Sequence, residues 1–197
     1  MTLLKRTTSL PADGPPRFVD PRRTGALLGL GGACLFVFSY TPGFADLLSG
    51  AARVLVLGAV GASLWFLFAR PRFLGPFVPP RGRHIAVYVL CVVVEFALIA
   101  AGSSLLDARG ALALRPALIA LVVGLHFLPF AWAFKEPMFY LLGGLLAAIG
   151  GIGLLSGTEP GAASAAATAG VAMALVLLAY SLGAFSKLRR AGTPAKR

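Results

Sequence analysis

The most pointed chemical groups in this sequence are a carboxyl and an imidazole, each set in otherwise apolar surroundings. Glu95 ends the run His84-Ile-Ala-Val-Tyr88-Val-Leu-Cys91-Val-Val-Val-Glu95, and His126 stands in Gly124-Leu-His126-Phe-Leu-Pro129. A carboxyl and an imidazole within reach of one another can relay a proton or hold a small ion. They can equally tie two helices together by a hydrogen bond. His84, Tyr88, Cys91, Glu95 and Gly102 are spaced four, three, four and seven apart, which on a helix is a single stripe. Tyr88 and Cys91 are therefore candidates to assist Glu95. Arg115 and His126 are eleven apart, close to three turns, so they too share a face. Arg115 lies beside the turn and reads as an interface anchor, within reach of Asp107 or of headgroups.

Other chemistries find little support. His84 and His126 have no second histidine three or four residues away, so a metal site is not expected. The two cysteines, Cys34 and Cys91, lie inside apolar runs and read as small hydrophobes. Ser181, in Tyr180-Ser181-Leu182-Gly183, lacks the first glycine of a serine-nucleophile turn. The acidic residues Asp13, Asp20 and Glu136 are too scattered to hold a divalent cation. No phosphate-binding or dinucleotide fingerprint occurs. Neither a cofactor nor catalysis is expected.

The elements that must position Glu95 and His126 are long apolar runs. Of 197 residues 58% are hydrophobic and only 13% charged, and the mean hydropathy is +0.85. A soluble domain of this length would need more polar side chains to cover its surface. The apolar residues fall at about Thr24–Phe44, Ala51–Ala69, His84–Leu105, Ala111–Phe134, Met138–Leu155 and Ala162–Phe185. A helix needs roughly 20 apolar residues to cross a bilayer core. The runs lack the period-two alternation of strands and are rich in Ala and Gly. The expected fold is all-α: a polytopic six-helix transmembrane bundle. Residues 1–23 read as a disordered, Pro-rich basic tail rather than a signal peptide, and residues 186–197 as a second basic tail.

Charge sets the expected orientation. The net charge of +11 would suggest nucleic acid if it formed one stripe on a soluble domain, but the basic residues sit between the runs, so no nucleic-acid partner is expected. With six spans, Lys5, Arg6, Arg17, Arg22, Arg23, Arg70, Arg72, Arg81, Arg83, Lys135, Lys187, Arg189, Arg190, Lys196 and Arg197 share one side. Arg53, Arg109 and Arg115 occupy the other. That asymmetry assigns both termini to the cytoplasm of a cell-membrane protein. Trp65, Tyr88, Trp132, Phe139, Tyr140 and Tyr180 fall nearer the same ends, as an aromatic belt would. The basic segments should attract anionic headgroups.

Small residues recur every four positions in Gly25/Gly29/Ala33, Gly143/Ala147/Gly151 and Ala166/Gly170/Ala174, faces that let helix backbones approach closely. The glycine-rich fifth helix is expected at the centre. Such a face can serve a homo- or hetero-oligomer as well as packing within one chain. Reflecting the third and fourth runs about Arg109 sets Glu95 opposite Val123, within three residues of His126, an axial offset of roughly 4.5 Å. A charge at mid-membrane costs roughly 2.5–3.5 kcal/mol on insertion scales, so Glu95 must be neutral, paired or facing water.

The segment Gly124-Leu-His126-Phe-Leu-Pro129-Phe-Ala131-Trp-Ala-Phe134, followed by a short turn and the Gly143-Gly144 helix, resembles a pattern in small uncharacterised bacterial multi-pass membrane proteins. The resemblance covers about thirty residues of helices four and five. It implies that His126 and Pro129 belong to what such a family keeps, and carries no activity with it. Two functions stay open: a non-catalytic subunit, scaffold or lipid-interacting component, and a proton-linked transporter or channel using Glu95 and His126.

Overall fold

The computed structural model describes residues 18–74 and 82–186. The tail residues 1–17, the loop residues 75–81 and residues 187–197, which carry Lys5, Arg81, Lys187 and several other counted cations, lie outside the described residues. Every regular element among the described residues is helical: α1 (Pro21–Tyr40), α2 (Asp46–Leu64), α3 (Gly82–Ala108), α4 (Arg115–Phe134), α5 (Met138–Leu155) and α6 (Glu159–Ser181). A π-helical turn, Trp65–Ala69, continues α2, and a 3-10 turn, Leu112–Leu114, precedes α4. With these turns included, all six are long and apolar enough to cross a membrane.

Local chemistry explains the boundaries. The Asp20 carboxylate accepts from the Arg22 backbone N–H at 3.0 Å, and Pro21 follows, a capping acid and a residue that needs no helical donor. α1 thus begins three residues before the expected Thr24, and Arg22 and Arg23 belong to its first turn rather than to a tail. Thr158 caps α6 by accepting from the Gly161 N–H at 3.3 Å. α3 ends into a left-handed Gly110, φ 65°, and α4 ends at Lys135, the one non-glycine described residue in that region, φ 52°.

The helices run up and down. At one end the start of α1, the turn after α2, the α4–α5 turn and the end of α6 meet: Arg23 donates to the Leu67 carbonyl, and the Tyr180 hydroxyl lies 3.5 Å from Glu136 Oε1. At the other end Arg53 Nε donates to Thr41 Oγ1 at 3.2 Å, and Arg115 lies near Tyr40.

The centre of the bundle is α6, not α5. α6 packs against α1, α2, α4 and α5, and Ala166, Ala169, Gly170, Met173, Ala174 and Leu177 are all buried along it. Small side chains make this possible, because a helix surrounded on several sides must be thin. The tightest pair is α4 with α5. A Cβ added at Gly124 would sit on the backbone of Ala147, and one added at Gly150 on the backbone of Leu121. The contact face of α5 is therefore Gly143, Ala147, Gly150 and Gly153, while Gly151 of the expected stripe faces open space. On α1, Ala33 is buried against α6 near Gly170, and Gly25 is exposed.

α3 differs from the rest. It is the longest helix, 27 residues, and none of its residues is buried. Its substantial contacts are with α4 and with the 3-10 turn before α4. Ile85, Val89, Val93, Phe96 and Leu98 point outward.

Candidate functional site

Glu95 and His126 meet where α3 lies along α4: Glu95 Oε2 is 3.6 Å from His126 Nδ1. The side chains are 15% and 13% exposed, so the pair is mostly enclosed but open at one edge. The separation is slightly longer than a good hydrogen bond. Nδ1 is buried and makes no well-formed hydrogen bond among the described residues.

The contact follows from hairpin arithmetic. Along the α3–α4 seam Gly102 faces Leu118, Glu95 faces His126, and Tyr88 stacks on Phe130 with ring centroids 5.3 Å apart. These three α3 positions are each seven residues apart, so they lie on one stripe of α3, flanked by the half-buried Val92, Ile99, Ser103 and Leu106. The three pairs reflect about points between Arg109 and Ala111, so the hairpin turns about the segment expected and His126 comes nearly level with Glu95.

An aromatic wall closes the other side. The Phe130 ring meets the His126 ring edge-on at 5.0 Å, and Phe127 stacks on Phe139 of α5 at 5.7 Å. Tyr88 joins the site through its ring, by way of Phe130, rather than through its hydroxyl. Cys91, one turn before Glu95, is a half-buried free thiol with no described contact to the pair. Pro129 lies inside α4 without ending it; having no N–H, it leaves the Leu125 carbonyl, beside His126, without its helical donor. Arg115 is exposed at the start of α4, near Tyr40 and without an ion pair among the described residues. His84, near the start of α3, accepts from Arg83 Nε at 3.3 Å. Three or more potential metal ligands do not cluster anywhere among the described residues.

A second polar cluster was not anticipated from the sequence. Asp20, Arg23, Glu136 and Tyr180 are all buried at the end of the bundle where α1 starts and α6 stops. Asp20 binds Arg22 at 2.8 Å and lies 3.7 Å from Arg23. Arg23 donates to the Leu67 carbonyl within the π-turn and to the Arg72 carbonyl at 3.4 Å. The guanidinium thus satisfies carbonyls that a helix end leaves without donors. Tyr180, expected in an aromatic belt, instead points inward at Glu136. Asp20-Pro21 was the available signal, since that dipeptide is a helix start. Nothing local marks Arg23 as inward-facing.

Compared with known proteins, the chain matches a family of unknown function, DUF7010, over residues 108–184. The match runs from the α3–α4 turn through α6, so it includes His126 and Pro129 and leaves out Glu95. No curated protein and no solved structure matches the chain.

Proposed function

We propose that this chain is a multi-pass membrane protein of the cell membrane, with six spans, both termini cytoplasmic and a non-catalytic role as a subunit, scaffold or lipid-interacting component. The observation that carries the reading is α3: a 27-residue helix without a buried residue, apolar on its outward faces. In water that surface would far exceed what soluble monomers expose; against lipid it needs no cover. The concentration of Lys and Arg in the segments at one end of the bundle supports the orientation. So do Trp65, Trp132 and Tyr140, exposed at that same end.

Topology mapping tests it. Single cysteines at Asp46 and Glu159 should react with an impermeant reagent only from outside intact cells, and cysteines at Lys187 only after lysis. Labelling of Asp46 or Glu159 positions from the cytosol refutes the arrangement. The basic segments should bind anionic headgroups at about 1 kcal/mol per residue near the surface, an attraction that fades as salt rises.

The Glu95–His126 contact favours a second reading, a small proton-linked transporter or channel. A carboxyl and an imidazole in contact at mid-depth are a common device for moving protons through a helical bundle. Proton flux into proteoliposomes, lost in Glu95→Gln while the protein still folds, supports it; unchanged flux refutes it.

A further inference from the structure

We propose that Glu95 and His126 form a site for one proton, and that its occupancy decides whether α3 stays docked along α4. The inference rests on the membrane reading above, which places the pair at mid-depth, and does not require transport.

The first argument is mechanical. No residue of α3 belongs to either apolar core cluster, so α3 can separate from α4 without opening the core. It is held by a side-chain seam that includes Gly102 with Leu118, Glu95 with His126 and Tyr88 with Phe130. Of these only the middle one joins two ionisable side chains. At the α3–α4 turn Gly110, φ 65°, is a conformation open to glycine and a natural pivot.

The second argument is electrostatic. With one proton the pair is neutral overall, as carboxylate and imidazolium or as carboxylic acid and imidazole, and the proton can bridge Oε2 and Nδ1. A second proton leaves a net positive charge between two apolar helices; removal of the only one leaves a net negative charge. The proton comes from water and returns to it, and no other bond forms or breaks. Either net charge favours opening of the seam, which admits water or lets the side chain turn toward headgroups. Among the described residues no neighbour offsets that charge. On α3 the other titratable groups of the stripe are Cys91, one turn away, Tyr88, whose ring is against Phe130, and His84, eleven residues away beside Arg83. On α4 the only other ionisable group is Arg115, eleven residues from His126. α5 brings Phe139 to the aromatic wall, and its own titratable residue, Tyr140, is exposed. α6 has its substantial contacts with helices other than α3.

Docking should therefore be tightest at intermediate pH and loosen on both sides. The test uses the full chain in liposomes, with Cys34 and Cys91 replaced by Ala and spin labels at Val93 and Leu141, exposed positions on α3 and α5. Label-to-label distances are measured from about pH 4 to about pH 9, which brackets ordinary carboxyl and imidazole titration. A single short-distance population is expected in the middle, with a longer one growing at both extremes. The shift in the docked-to-undocked ratio should approach roughly a hundredfold, the scale of holding one charge at mid-depth.

The variants separate the two arms. Glu95→Gln should lose the alkaline loosening and keep the acid one. His126→Asn should do the reverse, and the double variant should stay docked throughout. A wild-type distribution that does not change with pH, or arms that survive in the double variant, overturns the proposal. Failure of the labelled chain to enter liposomes would instead overturn the membrane reading. PH-dependent distances without proton flux would refute transport and leave the one-proton site standing.

Discussion

Replacing Gly150 by Ala should destabilise the bundle, while the same change at the adjacent Gly151 should not. A Cβ at Gly150 would fall 2.7 Å from Leu121 Cα and 2.8 Å from the Ala117 carbonyl oxygen. Ordinary carbon contacts lie at about 3.5–4.0 Å, so α4 and α5 would have to part by about 1 Å. The obstacle is backbone, so no side-chain rotation relieves it. A gap of 0.5–1 Å forfeits roughly a quarter to a half of each dispersion contact along the crossing. Overpacking of this kind costs about 1–3 kcal/mol, partly offset by the gain of at most about 1 kcal/mol from replacing a helical glycine. At Gly151 nothing lies within 4 Å of the added carbon, so only the gain remains. The gain is common to both, so the two variants should differ by the overpacking cost alone, about 1–3 kcal/mol, with Gly150→Ala the weaker. Thermal unfolding in mild detergent, followed by circular dichroism, reads the difference. Equal stability of the two would refute the close approach of α4 and α5.

Three further substitutions probe the rest of the fold. Arg23→Gln should cost about 1–3 kcal/mol, because the Leu67 and Arg72 carbonyls lose their donor while Arg22 still neutralises Asp20; denaturant unfolding reads it, and a neutral result would refute a buried Arg23. Tyr180→Phe removes one hydroxyl facing Glu136 and should cost about 1 kcal/mol in the same assay. Lys135→Gly should stabilise by roughly 1 kcal/mol, since φ 52° is strained for lysine and free for glycine; a fall in the unfolding temperature would count against that cap geometry.

How much of this was legible in the sequence depended on whether the determining contact was local. The six apolar runs needed only composition and length, and the helices fall close to them. Glu95 and His126 were also legible, because the two helices are joined by a short turn and reflection about it fixes their relative depth. The seam pairs reflect about points between Arg109 and Ala111 rather than about a single residue, which is why His126, and not Val123, meets Glu95. By contrast, the choice of Gly150 over Gly151, and of α6 over α5 as the central helix, depends on the rotation and crossing of helices far apart in the chain. Four-residue spacing identifies a face that can pack closely, not the face that does. Arg23 is the clearest case: in sequence it is one of three basic residues near a proline, and only the end of α2, forty-four residues away, gives it a place inside.

Two kinds of adhesion coexist in the bundle, and they predict different responses to damage. Between α4 and α5, and between α1 and α6, glycine brings backbone against backbone, so any added atom is felt along the whole crossing. α3 adheres through side chains, among them a leucine over Gly102, a ring on a ring, and the Glu95–His126 contact between them. A net charge on that pair weakens the attachment of one helix and leaves α4, α5 and α6 together. Charging the Glu95–His126 pair should therefore change the position of α3 well before it changes the unfolding of the core. A purely structural hydrogen bond buried among α4, α5 and α6 would lack that separation, which is why an ionisable contact at this seam is suited to switching.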